Sequence, residues 1–195
     1  SGKMWAVSQG IAVARVIAPK AEYILLTDAD IVHTPSVLRN LVTKAECEKL
    51  ALTSHMVMLR CESFWERLLI PAFIFFFKKL YPFAWINDAK KPTAGAAGGL
   101  MLVRRDTLER AGGIASIKSE IIDDCALATK VKQGGRIWLG HSALARSIRP
   151  YPGIASIWAM VARSAYVQLR HSPLLLFRSL AFGLPPHRFF RKEKG

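Results

Sequence analysis

The stretch that decides the fold runs from Glu22 to Asp30 and reads EYILLTDAD. Its apolar part, residues 22–27, predicts a short buried strand that ends at two acids. Ligands of α/β sheets bind at the carboxyl ends of strands, and two carboxylates separated by one residue can share a hard cation such as Mg²⁺ or Mn²⁺. Asp28 and Asp30 therefore predict a metal site, whose cation would neutralise a diphosphate. The alternative is a solvated turn before a helix that has Thr34 as its N-cap and Pro35 in its first turn.

Outward from this strand, apolar patterns with the period of a helix alternate along the chain with apolar patterns typical of a strand. This alternation predicts an α/β fold, with a sheet layered by helices. We expect helices over residues 3–18, 34–49, 63–81, 106–111, 119–132 and 153–171, strands over 22–27, 50–59, 98–104 and 137–139, and a polar loop over 87–95.

The composition is both basic and apolar, and this combination excludes several classes of protein. The chain has 195 residues, 28 Lys and Arg against 14 Asp and Glu, a net charge of +14 and 51% hydrophobic residues. A disordered basic tail would lack the apolar content, a disulfide-framed module would need more than 3 cysteines, and a simple nucleic-acid binder would rarely carry the aromatic run 73–77. We expect no nucleic-acid partner, a reducing compartment, and a protein bound to an anionic membrane surface.

The longest apolar run, residues 68–77, is too short to cross a bilayer, which takes about 20 residues. It is flanked by Arg67, Lys78 and Lys79. A segment of this kind is typical of a helix lying in the membrane interface, with its cations reaching the polar layer.

A second acidic pair, Asp123 and Asp124, lies where a helix is expected to begin. Acids in a first turn complement the helix dipole, which is the structural explanation. The functional alternative makes Asp124 a general base beside a bound substrate.

Two further segments are candidates for ligand contact. The small residues of 93–99 permit close approach of the backbone to a ligand, or simply form a flexible loop before a strand. Arg163, Tyr166 and Arg170 fall on one face of the last predicted helix. Their guanidinium groups suit a diphosphate, and a basic helix on anionic lipid is the alternative.

In this order, these segments resemble family 2 glycosyltransferases, and in particular the hopene-associated members of that family. The resemblance covers residues 1–176. It is carried by SGKMWAV at 1–7, TDADI at 27–31, MVMLRCESFWERLLIPAFIFFFKKLYPFAWIND at 56–88, AAGGLMLVRRDTLERAGGI at 96–114, IIDDCALATKVK at 121–132, IWLG at 137–140 and IWAMVARSAYVQLR at 157–170.

The resemblance implies a GT-A fold that uses a nucleotide-diphosphate sugar and Mg²⁺ or Mn²⁺. By position, Lys3, Asp28 and Asp30 would bind the diphosphate, Asp28 and Asp30 the metal as well, and Asp124 would be the base. We also assign Arg163 and Arg170 to the site that would bind the nucleotide-sugar donor. The acceptor-side residues would be Gly95, Ala96, Ala97, Gly98, Gly99 and Asp123.

The resemblance further implies a partial GT-A catalytic domain over residues 1–150, followed by amphipathic membrane-interface helices and a basic tail over 151–195. The family's first strands would precede Ser1, so we expect an N-terminal truncation. The segment Gln168 to His171 only approximates the Gln-x-x-Arg-Trp motif of processive synthases. The expected reaction is inverting transfer of a sugar to a lipid or other membrane-associated hydroxyl.

Two other functions fit the same residues. Asp28 and Asp30, with Asp123 and Asp124 as later metal ligands, match a haloacid-dehalogenase-type phosphatase in which Asp28 is the nucleophile. A non-catalytic membrane-surface protein would use its acids only as helix caps.

Overall fold

The computed structural model describes residues 2–114 and 123–168. The helices are α1 (Gly2–Ile17), α2 (Val37–Glu48), α3 (Phe64–Leu80), α4 (Phe83–Asn87), α5 (Arg105–Arg110), α6 (Asp123–Gly134) and α7 (Ile154–Gln168). The strands are β1 (Tyr23–Thr27), β2 (Ile31–His33), β3 (Leu50–Met58), β4 (Leu100–Arg104) and β5 (Arg136–Ser147). None of the described helices has the length and apolar character needed to cross a membrane.

The chain divides into two units. The first comprises residues 1–59 and 83–148, and the second residues 60–82 and 149–195. The sheet belongs to the first unit, whereas α3 and α7 belong to the second and contact each other. The predicted assignment of a catalytic part to residues 1–150 stays a prediction.

The strands form one mixed sheet in the order β1-β4-β3-β5-β2. β3 and β5 are parallel, and the other pairs are antiparallel. The predicted α/β fold with a layered mixed sheet is confirmed. β1 ends at Thr27, so the acids of residues 28–30 lie at its carboxyl end as predicted. The predicted burial of this strand is wrong, because β1 lies at the edge of the sheet and its residues are half-buried or exposed.

One face of the sheet is covered by α2. Val37, Leu41 and Ala45 recur at helical spacing and pack with apolar residues of the strands, namely Val57, Leu100, Leu102 and Ala145. Each fully buried leucine here contributes about 1.5–3 kcal/mol by leaving water. α6 contacts β3 and β5, so the residues that begin this helix are fixed relative to the sheet.

The start of α2 differs from the prediction. Ser36 is its N-cap, with no capping hydrogen bond from the side chain, so the assignment of Thr34 as N-cap is wrong. The reason is β2, whose residues pair with Ala145 to Ser147 of β5, while the amide of Thr34 donates to Leu144 O at 2.9 Å. Residues 34–36 therefore form the turn between β2 and α2.

Pairing with neighbouring strands also accounts for the length of β5. The sequence predicts that residues 137–139 start the last strand, and β5 runs from Arg136 to Ser147 because it pairs first with β3 and then with β2. The predicted stop after α5 is confirmed, since Gly112 and Gly113 adopt positive φ values of 86° and 62°. The predicted cap Ser119 and the end of the last predicted helix, residues 169–171, lie outside the described residues.

Candidate active site

The first unit contains a cavity of about 330 Å³ between α1, β1 and α6. Asp28, Gly98 and Asp124 line it, although they come from three distant stretches of the sequence. The remainder of the lining is mainly apolar and includes Met4, Val7, Ile11, Ile24, Leu26, Met101, Ile114 and Leu127. The sheet thus places the two predicted acids, Asp28 and Asp124, on one cavity.

Asp124 is held by backbone amides of two different segments. Its Oδ2 accepts a hydrogen bond from the amide of Gly98 at 2.8 Å, and its Oδ1 accepts one from the amide of Cys125 at 2.8 Å. Hydrogen bonds to a charged carboxylate are stronger than those between neutral groups. The carboxylate is therefore oriented before any ligand arrives.

The contact with Gly98 depends on the absence of a side chain. A Cβ atom at Gly98 would lie 3.0 Å from Asp124 Oδ2, which is tighter than about nine in ten real Cβ contacts, so the carboxylate would have to shift by a few tenths of an ångström. The sequence predicts close backbone approach in this loop, and the structure shows that the group approached is a carboxylate of the protein itself.

The same loop also reaches the acids that follow β1. The carbonyl of Gly99 accepts hydrogen bonds from the amide of Asp28 at 3.3 Å and from Thr27 Oγ1 at 3.0 Å. Gly98 and Gly99 thus connect Asp124 on one side with Asp28 on the other. Gly95 and Ala96 are buried, and neither they nor Ala97 line the cavity.

Ser54 of β3 holds this loop by hydrogen bonds, and no sequence pattern predicted this role. The side chain is fully buried on β3, where its Oγ accepts from the amide of Ala97 at 2.9 Å and donates to Ala97 O at 3.1 Å. Cys125 Sγ makes a longer contact with Ala96 O at 3.7 Å. The available signal was the polar run 53–55 inside an otherwise apolar strand, since a buried hydroxyl usually has a hydrogen-bond partner.

Asp30 has a different environment from Asp28. Its Oδ2 accepts a hydrogen bond from Ser147 Oγ at 2.6 Å, and its carbonyl accepts from the amide of Ile148 at 2.9 Å. Asp30 is not part of the cavity lining. Ser147, at the end of β5, is the second residue of the site that sequence patterns did not reveal.

The oxygen ligands that Asp28 and Asp30 offer fit a hard cation of the Mg²⁺ or Mn²⁺ type. Both acids are half-buried and offer carboxylate oxygens, and Asp30 is oriented by Ser147 in the way that ligating carboxylates usually are. Within residues 2–114 and 123–168, no three His, Cys, Asp or Glu side chains are grouped to hold a metal ion. A cation there would need water and phosphate oxygens to complete its coordination, which is the usual arrangement for Mg²⁺.

Lys132 supports α6 at its other end. Its Nζ donates to Ile86 O at 2.7 Å, Thr93 O at 2.6 Å and Trp85 O at 3.2 Å. Burial lowers the pKa of this amine, and the charge of Asp88 opposes that shift. The three bonds fix α4 and the start of the glycine-rich loop, residues 93–99, against the helix that carries Asp124.

The other predicted site residues are only partly described. Lys3 lies in α1, Asp123 begins α6 and Arg163 lies in α7, but their side chains are not described. Arg170 lies outside the described residues.

A mixed sheet with oriented acids on one cavity is the arrangement of an α/β enzyme domain. The family whose model matches residues 9–184 is glycosyl transferase family 21, and the chain belongs to that family. The predicted glycosyltransferase family membership is therefore confirmed at this level, whereas placement in family 2 and among its hopene-associated members stays a prediction.

Among solved structures, the chain matches the mannosyltransferase PcManGT from Pyrobaculum calidifontis, in complex with GDP-Man and Mn²⁺. The two chains are 19% identical with a TM-score of 0.48, over 91% of this chain and 55% of that chain. This chain thus spans about half of that protein. A search of curated proteins finds no match.

Proposed function

We propose that the chain is the catalytic part of a metal-dependent glycosyltransferase of the GT-A type, which moves a sugar from a nucleotide-diphosphate donor to a hydroxyl acceptor. The observation that carries the proposal is the shared cavity. Asp28 and Asp124, the acids expected to bind the donor diphosphate and to act as base, line it together and are tied to the same loop. Membership of glycosyl transferase family 21 supports sugar transfer as the reaction.

In this mechanism Asp124 is the proton acceptor. Its carboxylate takes the proton from the acceptor hydroxyl, whose oxygen attacks the anomeric carbon as the bond to the diphosphate breaks. The amides of Gly98 and Cys125 keep the carboxylate in one orientation during the transfer. A single displacement of this kind inverts the anomeric centre.

The donor diphosphate lies near the end of β1 in this proposal. Asp28 and Asp30 would hold Mg²⁺ or Mn²⁺, which when bound supplies positive charge against the leaving diphosphate. Lys3, Arg163 and Arg170 are the cations that we assign to the same phosphates. Asp123 and the loop 95–99 are assigned to the acceptor side.

The acceptor that we propose is a lipid or another membrane-associated hydroxyl compound. The net charge of +14 supports association with an anionic membrane surface, which we place at the cytoplasmic face of the inner membrane. We do not adopt the phosphatase or the purely membrane-binding alternative, because family membership favours sugar transfer.

The test measures release of nucleoside diphosphate from a panel of sugar nucleotides, with Mg²⁺, with Mn²⁺ and with a chelator. We expect metal-dependent release that falls by roughly 10²-fold or more in Asp28→Asn, since the charge that positions the donor is lost. Asp106→Asn is the matched control, because Asp106 accepts a local bond from the amide of Thr107 and does not line the cavity. Wild-type release by Asp28→Asn, or equal loss in both variants, would contradict the assignment.

A further inference from the structure

Helix α3 exposes a continuous apolar stripe. Phe64 is 71% exposed, Leu68 54% and Phe75 62%. With the exposed Pro71 they follow one another at intervals of three or four residues, so they lie along one side of the helix. We call these four residues the α3 stripe. Large apolar side chains exposed side by side mark an interaction surface.

The opposite side of α3 is already occupied. Ile70, Phe77 and Leu80 are buried there. Glu66 is also fully buried, and its carboxylate accepts hydrogen bonds from the amides of Ser63 and Tyr151 at 2.8 Å each. The α3 stripe is therefore an additional apolar surface rather than the side by which the helix packs in its unit.

All exposed charges of α3 are positive. Arg67 and Lys78 flank the α3 stripe on one side at helical spacing, and Lys79 flanks it on the other with its Nζ 5.2 Å from the ring centre of Phe75. The one acid of the helix, Glu66, is withdrawn from the surface. Trp65, which is 38% exposed, lies beside the stripe and is a residue type favoured at membrane interfaces.

We propose that the α3 stripe inserts into the interfacial layer of an anionic bilayer, with Arg67, Lys78 and Lys79 contacting lipid phosphates. An apolar stripe with cations along both flanks is complementary to acyl chains below a layer of negative phosphates. The helix would then lie parallel to the membrane plane. This inference rests on the membrane association in the proposed function but not on sugar transfer, so vesicle binding and sugar transfer can fail separately.

Two other occupants fit the charges less well. A second copy docking by the same surface would bring the cations of both copies together, because a two-fold interface pairs each patch with itself. The segment 169–195 has Arg and Lys in excess of its single acid, Glu193, so it would repel the same flanks.

The first experiment measures co-sedimentation of the full chain with vesicles of phosphatidylcholine alone and of phosphatidylcholine with phosphatidylglycerol. We expect the variant Phe64→Ser/Leu68→Ser/Phe75→Ser to bind the mixed vesicles at least about tenfold more weakly than wild type. The matched control is Val16→Ser/Leu38→Ser/Met58→Ser, which removes exposed apolar side chains of the first unit. Equal binding by the two variants, both folded by circular dichroism, would overturn the proposal.

A second measurement reports insertion directly and does not depend on weakened binding. An environment-sensitive fluorophore is attached to Leu68→Cys in a Cys47→Ser/Cys61→Ser background, since both native cysteines are exposed. We expect a blue-shifted, brighter emission on mixed vesicles, and no change for the same probe at Leu38→Cys. Bound protein with unchanged emission at position 68 would overturn the proposal. A triple variant that loses self-association but keeps vesicle binding would also overturn it and assign the stripe to a second copy.

Discussion

The two units each contain a carboxylate that backbone amides hold near the start of a helix, and the comparison shows which of them a ligand can reach. Glu66 of α3 completes a capping box with Ser63 and also accepts from the amide of Tyr151, and it is fully buried. Asp124 of α6 accepts from the amides of Gly98 and Cys125, but it is half-exposed and lines a cavity. The same kind of hydrogen bonding stabilises the chain in one unit and orients the proposed base in the other.

The largest expected effect follows from removing the charge of Asp124. Asp124→Asn should lower sugar transfer by about 10²–10⁴-fold, because the amide cannot accept the acceptor's proton. The midpoint of thermal unfolding should fall by a few degrees only, since the asparagine oxygen still accepts from one of the two amides while the other amide loses its acceptor. Initial rates and thermal melts of the same preparations check this.

The matched control is Asp106→Asn. Asp106 lies in the first turn of α5 and accepts from the next backbone amide, that of Thr107 at 2.6 Å, as Asp124 accepts from Cys125. It is not part of the cavity lining, so we expect normal transfer. Equal losses in the two variants would mean that helix-start acids matter here only for stability.

The next effect comes from two adjacent glycines. Gly98→Ala should lower the rate of transfer by up to about 10²-fold, because its Cβ would lie 3.0 Å from Asp124 Oδ2 and displace the carboxylate. Gly99→Ala meets only Ile31 and Val57 side chains, each at 3.4 Å, and should keep most of the activity. A steady-state comparison that reversed this order would show that Asp124 does not need its bond to Gly98.

Sequence reasoning found the acids but not the residues that hold them. Asp28, Asp30 and Asp124 follow apolar segments or begin a helix, so local patterns reveal them. Ser54 and Ser147 are single serines whose partners lie far along the chain, and only the assembled sheet shows their hydrogen bonds to Ala97 and Asp30. β2 has three residues, too few for a periodic signal, and it exists because β5 pairs with it.

A smaller effect on transfer is expected from removing the hydroxyl of Ser54, and the neighbouring hydroxyl of Thr53 provides the comparison. Ser54 and Thr53 are both fully buried, but Ser54 Oγ bonds to the glycine-rich loop whereas Thr53 Oγ1 has no hydrogen-bond partner in the described structure. Ser54→Ala leaves the amide of Ala97 without its acceptor, so it should destabilise the first unit by about 1–3 kcal/mol and reduce kcat by roughly tenfold.

Thr53→Val is the partner variant, and it should be neutral or stabilising because it removes a hydroxyl that is buried without a partner. Urea unfolding and kcat measured on both variants separate the two cases. If Ser54→Ala changed stability but left kcat and its pH profile at wild-type values, Ser54 would be a packing residue rather than one that positions Asp124 through the loop.

The last prediction concerns Glu66, whose change should leave sugar transfer intact at neutral pH. Hydrogen bonds from the amides of Ser63 and Tyr151 lower the pKa of this carboxyl from 4.5 to about 2. A lowered pKa in the folded state means that the stabilisation is complete above the unfolded value of 4.5 and is lost as the pH falls toward 2. Acid should therefore destabilise the second unit within that window, and Glu66→Gln should remove this part of the pH dependence while lowering stability at neutral pH.

Intrinsic fluorescence of Trp65 and Trp158, in a variant without the other tryptophans, follows the second unit alone. An acid transition that persisted unchanged in Glu66→Gln would assign the pH dependence to other carboxylates, and the contrast between Glu66 and Asp124 would then rest on their exposure and not on their hydrogen bonds.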